Sequence, residues 1–124
     1  DFDGEKRRVH ELSRDVLSGV IAHIQPGQPA STIFDYFLEK SEAAGYGEQF
    51  RRYAQGLRAV GHGVGINVVE WPHLDADSAF LLEPGMTLAI KYDLHGFEWG
   101  GTRFEVDVVV EDDCCRPLNR ILED

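Results

Sequence analysis

A single histidine, His62, lies between two glycines in the segment RAVGHGVGINVVE, residues 58–70. An imidazole titrates near neutral pH, so it can act as a general acid or base, or bind a metal ion. The flanking glycines have no side chains that would cover the ring. His62 is therefore either a core histidine in a tight turn or an exposed reactive group, and the residues that face it decide between these alternatives.

The groups best placed to face this histidine lie on two segments in the second half of the chain. TLAIKYDL, residues 87–94, and TRFEVDVVVE, residues 102–111, alternate apolar and polar residues, which predicts strands with one apolar face. The Gly-rich link HGFEWGG between them suits a hairpin, so the strands should be antiparallel neighbours. Before the first strand, Pro84 and Gly85 stand in the order that a type II turn favours.

A turn centred near Glu98 sets the register of this hairpin. In that register Lys91 lies opposite Glu105 and Asp93 lies opposite Arg103, so two pairs of opposite charges form at once. The common interpretation of such a face is a solvated surface, on which each ion pair contributes less than about 1 kcal/mol. The alternative is a polar site that these charges form together with the histidine.

The first half of the chain has the period of helices. Apolar residues recur every three or four positions over residues 5–24, and QPGQP then imposes a bend. Ser31 or Thr32 offers an N-cap for a second helix, which the segment AAGYG ends. Residues 48–58 have a weak pattern that fits helix or loop.

The composition is that of one ordinary domain. The chain has 124 residues, of which 43% are hydrophobic and 27% charged, enough apolar material for a core. A net charge of -10 argues against nucleic acid, because phosphate binding needs clustered Lys and Arg. No run approaches the roughly 20 apolar residues of a membrane span, so we expect no membrane association. Cys114 and Cys115 are adjacent, and neighbours on a strand rarely bridge, which predicts reduced thiols in a cytoplasmic protein.

Three motifs in a fixed order resemble a known family. GHGVG (61–65), LEPGMTLAI (82–90) and GTRFEVDVVV (101–110) are similar to the C-terminal half of the catalytic domain of the pita-bread family, which includes methionine aminopeptidase, Xaa-Pro aminopeptidase, prolidase and creatinase. The pattern is closest to Xaa-Pro dipeptidases. The resemblance implies a single α+β domain, half of a pita-bread fold, with helices packed on an antiparallel sheet. Residues 1–58 should be mainly helical and residues 59–124 mainly strands.

The resemblance also implies a metal site, from which this chain departs. The metallopeptidases of the family hold two metal ions with two aspartates, one histidine and two glutamates. His62 and Glu105 match two of these ligands, but Lys91 stands where the other glutamate belongs, and an ammonium cannot ligate. Asp1 and Asp3 lie too close to the first helix to match the aspartates. We therefore expect no tightly bound metal; Mn, Co or Zn would bind only if the parent protein carries upstream aspartates.

The accessory histidines of the Xaa-Pro peptidases are also replaced. Their places fall on Arg58 and Val69, while the nearby His73 matches neither position. The candidate residues are His62, Lys91 and Glu105 for catalysis, His62 and Glu105 as family metal ligands, and Arg58, His73 and Arg103 for substrate binding.

These observations leave different classes of function open. The chain could be part of a Xaa-Pro dipeptidase-like or aminopeptidase-like hydrolase with a degenerate site, which hydrolyses a C–N bond without metal as creatinase does. It could instead be an inactive peptidase-like domain that binds proteins, and its negative charge would suit a basic partner. The substrate of an enzyme would be a small peptide or a small carboxylate or guanidino compound. We expect the intact parent protein to be an active enzyme and this chain alone to be inactive. We also expect the chain to form a homodimer or to need an N-terminal half.

Overall fold

Within the residues that the structure describes, three helices precede a five-stranded antiparallel sheet. The computed structural model describes residues 3–57 and 59–120, with the backbone alone described for residues 53–57. The helices are α1 (Gly4–His23), α2 (Ser31–Ala43) and α3 (Gly47–Leu57); the strands are β1 (Gly61–Gly63), β2 (Glu70–Leu74), β3 (Thr87–Phe97), β4 (Gly100–Val110) and β5 (Cys115–Pro117). This is the predicted α+β arrangement of helices on an antiparallel sheet.

Helix α1 follows the predicted pattern closely. Its N-cap is Asp3, whose carboxylate accepts the N–H of Lys6 at 3.0 Å, and this hydrogen bond lowers the pKa of the Asp3 carboxyl. The helix ends at His23, immediately before the predicted bend. Its apolar stripe is buried against the sheet at Val9, Val16, Leu17, Val20 and Ile21.

The predicted N-cap of helix α2 is wrong. The N-cap residue is Ala30, which makes no side-chain capping bond, and neither Ser31 nor Thr32 takes that position. Carbonyl groups from a distant segment satisfy the first N–H groups instead: Ala30 donates to Phe80 at 2.9 Å and Ser31 donates to Ser78 at 2.9 Å. Backbone carbonyl groups that are distant in sequence therefore cap this helix, in place of the predicted hydroxyl side chain.

The central hairpin has the predicted register. Lys91 pairs with Glu105 and Asp93 pairs with Arg103 across β3 and β4. Both strands extend further toward the turn than the alternation indicated, and only residues 98–99 lie between them. The turn before β3 is of type II as predicted, since Gly85 has a φ of 92° and the N–H of Met86 donates to the carbonyl of Glu83 at 3.2 Å.

The remaining strands were not predicted, because each is too short to show a pattern of its own. The sheet order is β2-β1-β3-β4-β5, so β1 lies inside the sheet between β2 and β3. The glycines of β1 permit this close approach. A Cβ atom on Gly61 would lie 2.5 Å from the carbonyl oxygen of Ala89, and one on Gly63 would collide with the carbonyl oxygen of Trp71.

One face of the sheet packs against the helices. Tyr92 lies at the centre of this core, where its ring stacks on Phe50 and its hydroxyl contacts Ser41 Oγ at 2.5 Å. Burial raises the pKa of Tyr92 to about 12, although the hydrogen bond with Ser41 partly offsets this shift. The sheet residues of this face are Leu88, Ile90, Tyr92, Leu94, Val106, Val108 and Val110.

Two expectations drawn from composition concern the thiols and the membrane. Cys114 and Cys115 are both free cysteines, as predicted. The Cys114 thiol donates to Glu111 at 3.5 Å, and burial raises the pKa of Cys115 to about 11, so neither environment favours a thiolate. Among the helices of the described residues, none combines the length and the apolar character needed to cross a membrane.

Candidate functional site

The face of the sheet turned away from the core carries the predicted site residues that the structure describes. His62 on β1 pairs with His73 on one side and with Ala89 on the other. Side chains alternate along a strand and directly paired residues share a face, so Lys91 and its partner Glu105 lie on this same face. We call this surface the polar face.

The ring of His62 is oriented by its own strand and faces a carboxylate. Its Nδ1 lies 2.9 Å from the carbonyl oxygen of Gly63, and because a carbonyl can only accept, this contact assigns the proton of a neutral ring to Nδ1. Nε2 then carries the lone pair and lies 3.7 Å from Oε1 of Glu105. The ring is 12% exposed and the Glu105 side chain 41% exposed, so the pair is shielded by the protein but open to solvent from one side.

This arrangement suits proton transfer. Nε2 can accept a proton from a water molecule or a substrate, and the adjacent Glu105 carboxylate would stabilise the imidazolium that forms. Lys91, directly opposite Glu105 and half-buried, adds a positive charge beside the pair. An acid–base group, a carboxylate and a cation therefore meet on one surface.

A second group of charges lies two residue pairs further along the hairpin, toward its turn. Asp93 has no exposed side-chain surface, and its Oδ1 accepts from Arg103 Nε at 2.7 Å and lies 3.3 Å from His95 Nε2. The expectation of a solvated face is therefore wrong at Asp93, because the neighbouring side chains cover its carboxylate. Its Oδ2 atom is buried and has no hydrogen-bond partner among the residues that the structure describes.

Asp93 and His95 were not predicted as members of a buried group. The sequence carries no signal for its burial, because a residue between Tyr92 and Leu94 in an alternating strand lies on the face opposite to these core residues. A buried carboxylate must be compensated by hydrogen bonds or charges, and here Arg103 and His95 provide them. The pairing with Arg103 was predicted, but the burial was not.

The predicted site residues have different placements. The prediction that His62, Lys91 and Glu105 share one face is confirmed by the register and by the contact between His62 and Glu105. His73 is exposed beside His62, and Arg103 lies on the same face two residues before Glu105. Arg58 lies outside the described residues. The chemical roles of all six residues stay predictions.

The donor set on the polar face does not fit two divalent metal ions. His62 and Glu105 occupy the positions where the resemblance places two ligands, and Lys91 places an ammonium directly opposite Glu105. No group of three or more His, Cys, Asp or Glu residues in residues 3–57 and 59–120 has the geometry to hold a metal ion. Two close dications need several carboxylates to offset their repulsion, and a lysine at the site adds to it.

Comparison with known proteins identifies similar chains over almost the whole length. The chain is 30% identical over 112 residues to an uncharacterized peptidase of Bacillus subtilis, YqhT, covering 90% of this chain and 30% of that protein. It is 24% identical over 116 residues to the Xaa-Pro dipeptidase of Pyrococcus furiosus, covering 94% of this chain and 32% of that protein. The chain therefore spans about a third of the length of these relatives.

The solved structures agree with these relatives. A dipeptidase from Pyrococcus horikoshii superposes with a TM-score of 0.84 at 29% sequence identity, covering 95% of this chain and 32% of that one. The fold is thus that of the pita-bread peptidases. The model of metallopeptidase family M24 matches residues 1–112, and the chain belongs to this family.

Proposed function

We propose that this chain is the C-terminal part of a single catalytic domain that hydrolyses a C–N bond without a dinuclear metal centre. The observation that carries the proposal is the 3.7 Å contact between His62 Nε2 and Glu105, with Lys91 in the place opposite that carboxylate. The names of the relatives, which include Xaa-Pro dipeptidases, support a small peptide as the substrate. A small carboxylate or guanidino compound is the other substrate class that the charges suit.

The proposed reaction uses His62 twice. Nε2 accepts a proton from water as the water oxygen forms a bond to the substrate carbon, and Glu105 stabilises the imidazolium. The imidazolium then returns this proton to the leaving nitrogen as the C–N bond breaks. Lys91 supplies the positive charge that metal ions provide in the relatives, either to the developing oxyanion or to a substrate carboxylate.

The substrate-binding roles rest on fewer observations. Arg103 is 48% exposed on the polar face and suits a carboxylate, which guanidinium groups bind in a bidentate manner. His73 is exposed beside His62, where it could contact the substrate. Arg58 remains a candidate on the sequence alone.

The test measures hydrolysis of Xaa-Pro dipeptides and of guanidino acids by the intact protein, in the presence of a chelator. We expect activity that His62→Gln and Glu105→Gln each lower by about 100-fold or more, the scale of general acid–base catalysis. His23→Gln, at the exposed end of α1, is the matched control and should keep full activity. Activity abolished by the chelator and restored by Mn, Co or Zn would contradict the metal-free proposal.

The metal content gives a second test. We propose that the protein contains no tightly bound metal, because Lys91 replaces a ligand. Elemental analysis of protein purified without chelator should find Mn, Co and Zn below stoichiometric amounts. Two equivalents of metal together with peptidase activity would refute this. The free thiols of Cys114 and Cys115 support a reducing, cytoplasmic location as a further proposal.

A second candidate function, protein binding by an inactive domain, is favoured by one exposed apolar segment. Between β1 and β2, Ile66 is 101% exposed and Val68 is 92% exposed, and Trp71 on β2 is 71% exposed. Large exposed apolar patches mark contact surfaces. We propose that a second copy of the chain or an N-terminal half covers this segment. Light scattering at micromolar concentration should show an assembly, and a monomer near 13.9 kDa without dye-binding apolar surface would contradict it.

A further inference from the structure

The Asp93 group has a geometry that the reaction proposed above does not use. Asp93 lies on the polar face next to Lys91, yet its side chain has no exposed surface. A carboxylate removed from water is costly unless charges and hydrogen bonds compensate it. Its compensation comes from Arg103 at 2.7 Å, with His95 at 3.3 Å. The folded state therefore requires the Arg103 guanidinium at this place.

The contact also fixes the orientation of that guanidinium. Arg103 donates through Nε, the inner nitrogen of the planar group, to Asp93 Oδ1. Because the group is rigid and planar, a bond that holds Nε also restricts the positions that the two terminal nitrogens can take. The Arg103 side chain is 48% exposed, so part of it is accessible from solvent on the polar face.

The position along the strands connects this group with the proposed reaction. Arg103 and Glu105 are alternate residues of β4 on the same face, and alternate residues of a strand lie roughly 7 Å apart. On the polar face, Arg103 is thus the residue of β4 next to Glu105 on the side of the turn. This spacing suits a small substrate whose reacting bond is at His62 and whose carboxylate is a few bonds distant.

We propose that Asp93 is a positioning residue, which holds the Arg103 guanidinium for the carboxylate of the substrate. This inference rests on the proposed function, because it extends the substrate-binding role of Arg103. Asp93 does not touch the substrate itself; it acts through Arg103. The ligand class is a carboxylate, since an oriented guanidinium offers two parallel N–H groups to it.

The first experiment follows the Hε proton of arginine side chains by NMR, and it needs no variant. Arg116 is an internal control, because its Nε donates to Glu111 at 2.8 Å, much as Arg103 donates to Asp93. Glu111, however, is 39% exposed. We expect Hε of Arg103 to exchange with solvent about tenfold more slowly than Hε of Arg116, since the acceptor of Arg103 is fully buried. Equal exchange rates would overturn the proposal.

The second experiment uses Asp93→Asn, with Asp107→Asn as the matched control on the same two strands. Asp93→Asn should abolish the slow exchange of the Arg103 Hε and weaken the binding of acetate by about tenfold. Binding is followed by NMR, with acetamide as the neutral control ligand. Asp107→Asn should change neither, because Asp107 pairs with Ala89 and not with Arg103. An unchanged Arg103 signal in Asp93→Asn would overturn the proposal. If the Arg103 Hε exchanges slowly but the wild type binds no acetate, Arg103 does not bind the carboxylate of a substrate. That result would refute the proposed ligand and the substrate-binding role of Arg103, but Asp93 would still be shown to hold the guanidinium. If Asp93→Asn does not fold, the comparison of Arg103 with Arg116 still decides the proposal.

Discussion

Replacing Lys91 by Gln and then by Glu should raise the affinity of the polar face for Mn²⁺ in two steps. The first change removes a positive charge opposite Glu105, and the second adds a carboxylate there. With Glu at position 91, His62 and the two glutamates would supply three ligands, the number that many catalytic metal sites use. The series separates electrostatic repulsion from ligation.

The size of each step follows from the register. Directly paired side chains on neighbouring strands begin about 5 Å apart, so a dication bound at Glu105 lies at about that distance from the charge at position 91. One unit charge then changes the binding free energy by about 1.7 kcal/mol even at the dielectric constant of water, roughly fifteen-fold in affinity. Two unit charges give about two hundredfold for Lys91→Glu, and direct ligation adds to this value.

Titration of Mn²⁺ followed by the EPR signal of the free ion measures these affinities. The ionic strength should be near 10 mM, where the Debye length of about 30 Å leaves the interaction unscreened. Lys40→Glu on the exposed surface of α2 is the control, because it makes the same change in net charge away from the polar face. Equal affinities in the wild type and Lys91→Glu, or an equal gain in Lys40→Glu, would refute the reasoning.

Three further predictions concern stability. Ser41→Ala should lower the free energy of unfolding, measured in urea, by about 2 kcal/mol, because it leaves the buried Tyr92 hydroxyl without a hydrogen-bond partner. Tyr92→Phe should lower it by only about 1 kcal/mol, since Ser41 keeps its hydrogen bond to the carbonyl of Phe37 at 2.7 Å. Equal costs of the two substitutions would contradict this reasoning. The pKa of Tyr92 is raised to about 12, so the tyrosine loses its proton at lower pH in the unfolded state than in the folded state. The free energy of unfolding should therefore fall as the pH rises from about 10 to 12. This fall should be absent in Tyr92→Phe. Gly61→Ala should lower the melting temperature, and the free energy of unfolding by about 2 kcal/mol, because its Cβ would collide with a backbone oxygen. Gly4→Ala is the control and should have little effect, because its Cβ would make an ordinary contact at 3.5 Å. Similar losses in the two variants would refute the steric reason for the glycine at position 61.

The hairpin shows how much of this protein the sequence determines by itself. Alternation along β3 and β4 specifies two strands with one apolar face, and a short link forces them to be antiparallel neighbours. Two complementary charge pairs then select one register, in which Lys91 lies opposite Glu105. These are local properties, so they can be derived without knowing how the rest of the chain packs. The same holds for the apolar stripe of α1, and the order of the three motifs was sufficient to identify the family.

The glycines around His62 illustrate the opposite case. The sequence presented them as a bare environment for an imidazole, but their physical role is to let β2 and β3 approach β1 on both sides. A strand of three residues has no pattern of its own, because its hydrogen bonds come from partners that are distant in sequence. The contact of His62 with Glu105 depends on this assembly.

Burial is the other property that only the tertiary structure decided. Asp93 and Glu105 both occupy polar positions in alternating strands, and local sequence gives them equal access to solvent. Packing of neighbouring side chains covers Asp93 completely and leaves Glu105 41% exposed. The N-cap of α2 is similar, because carbonyl groups some fifty residues away replace the predicted hydroxyl. Solvent access and hydrogen-bond satisfaction are sums over all neighbours in space, and a pattern along the chain contains only the neighbours in sequence.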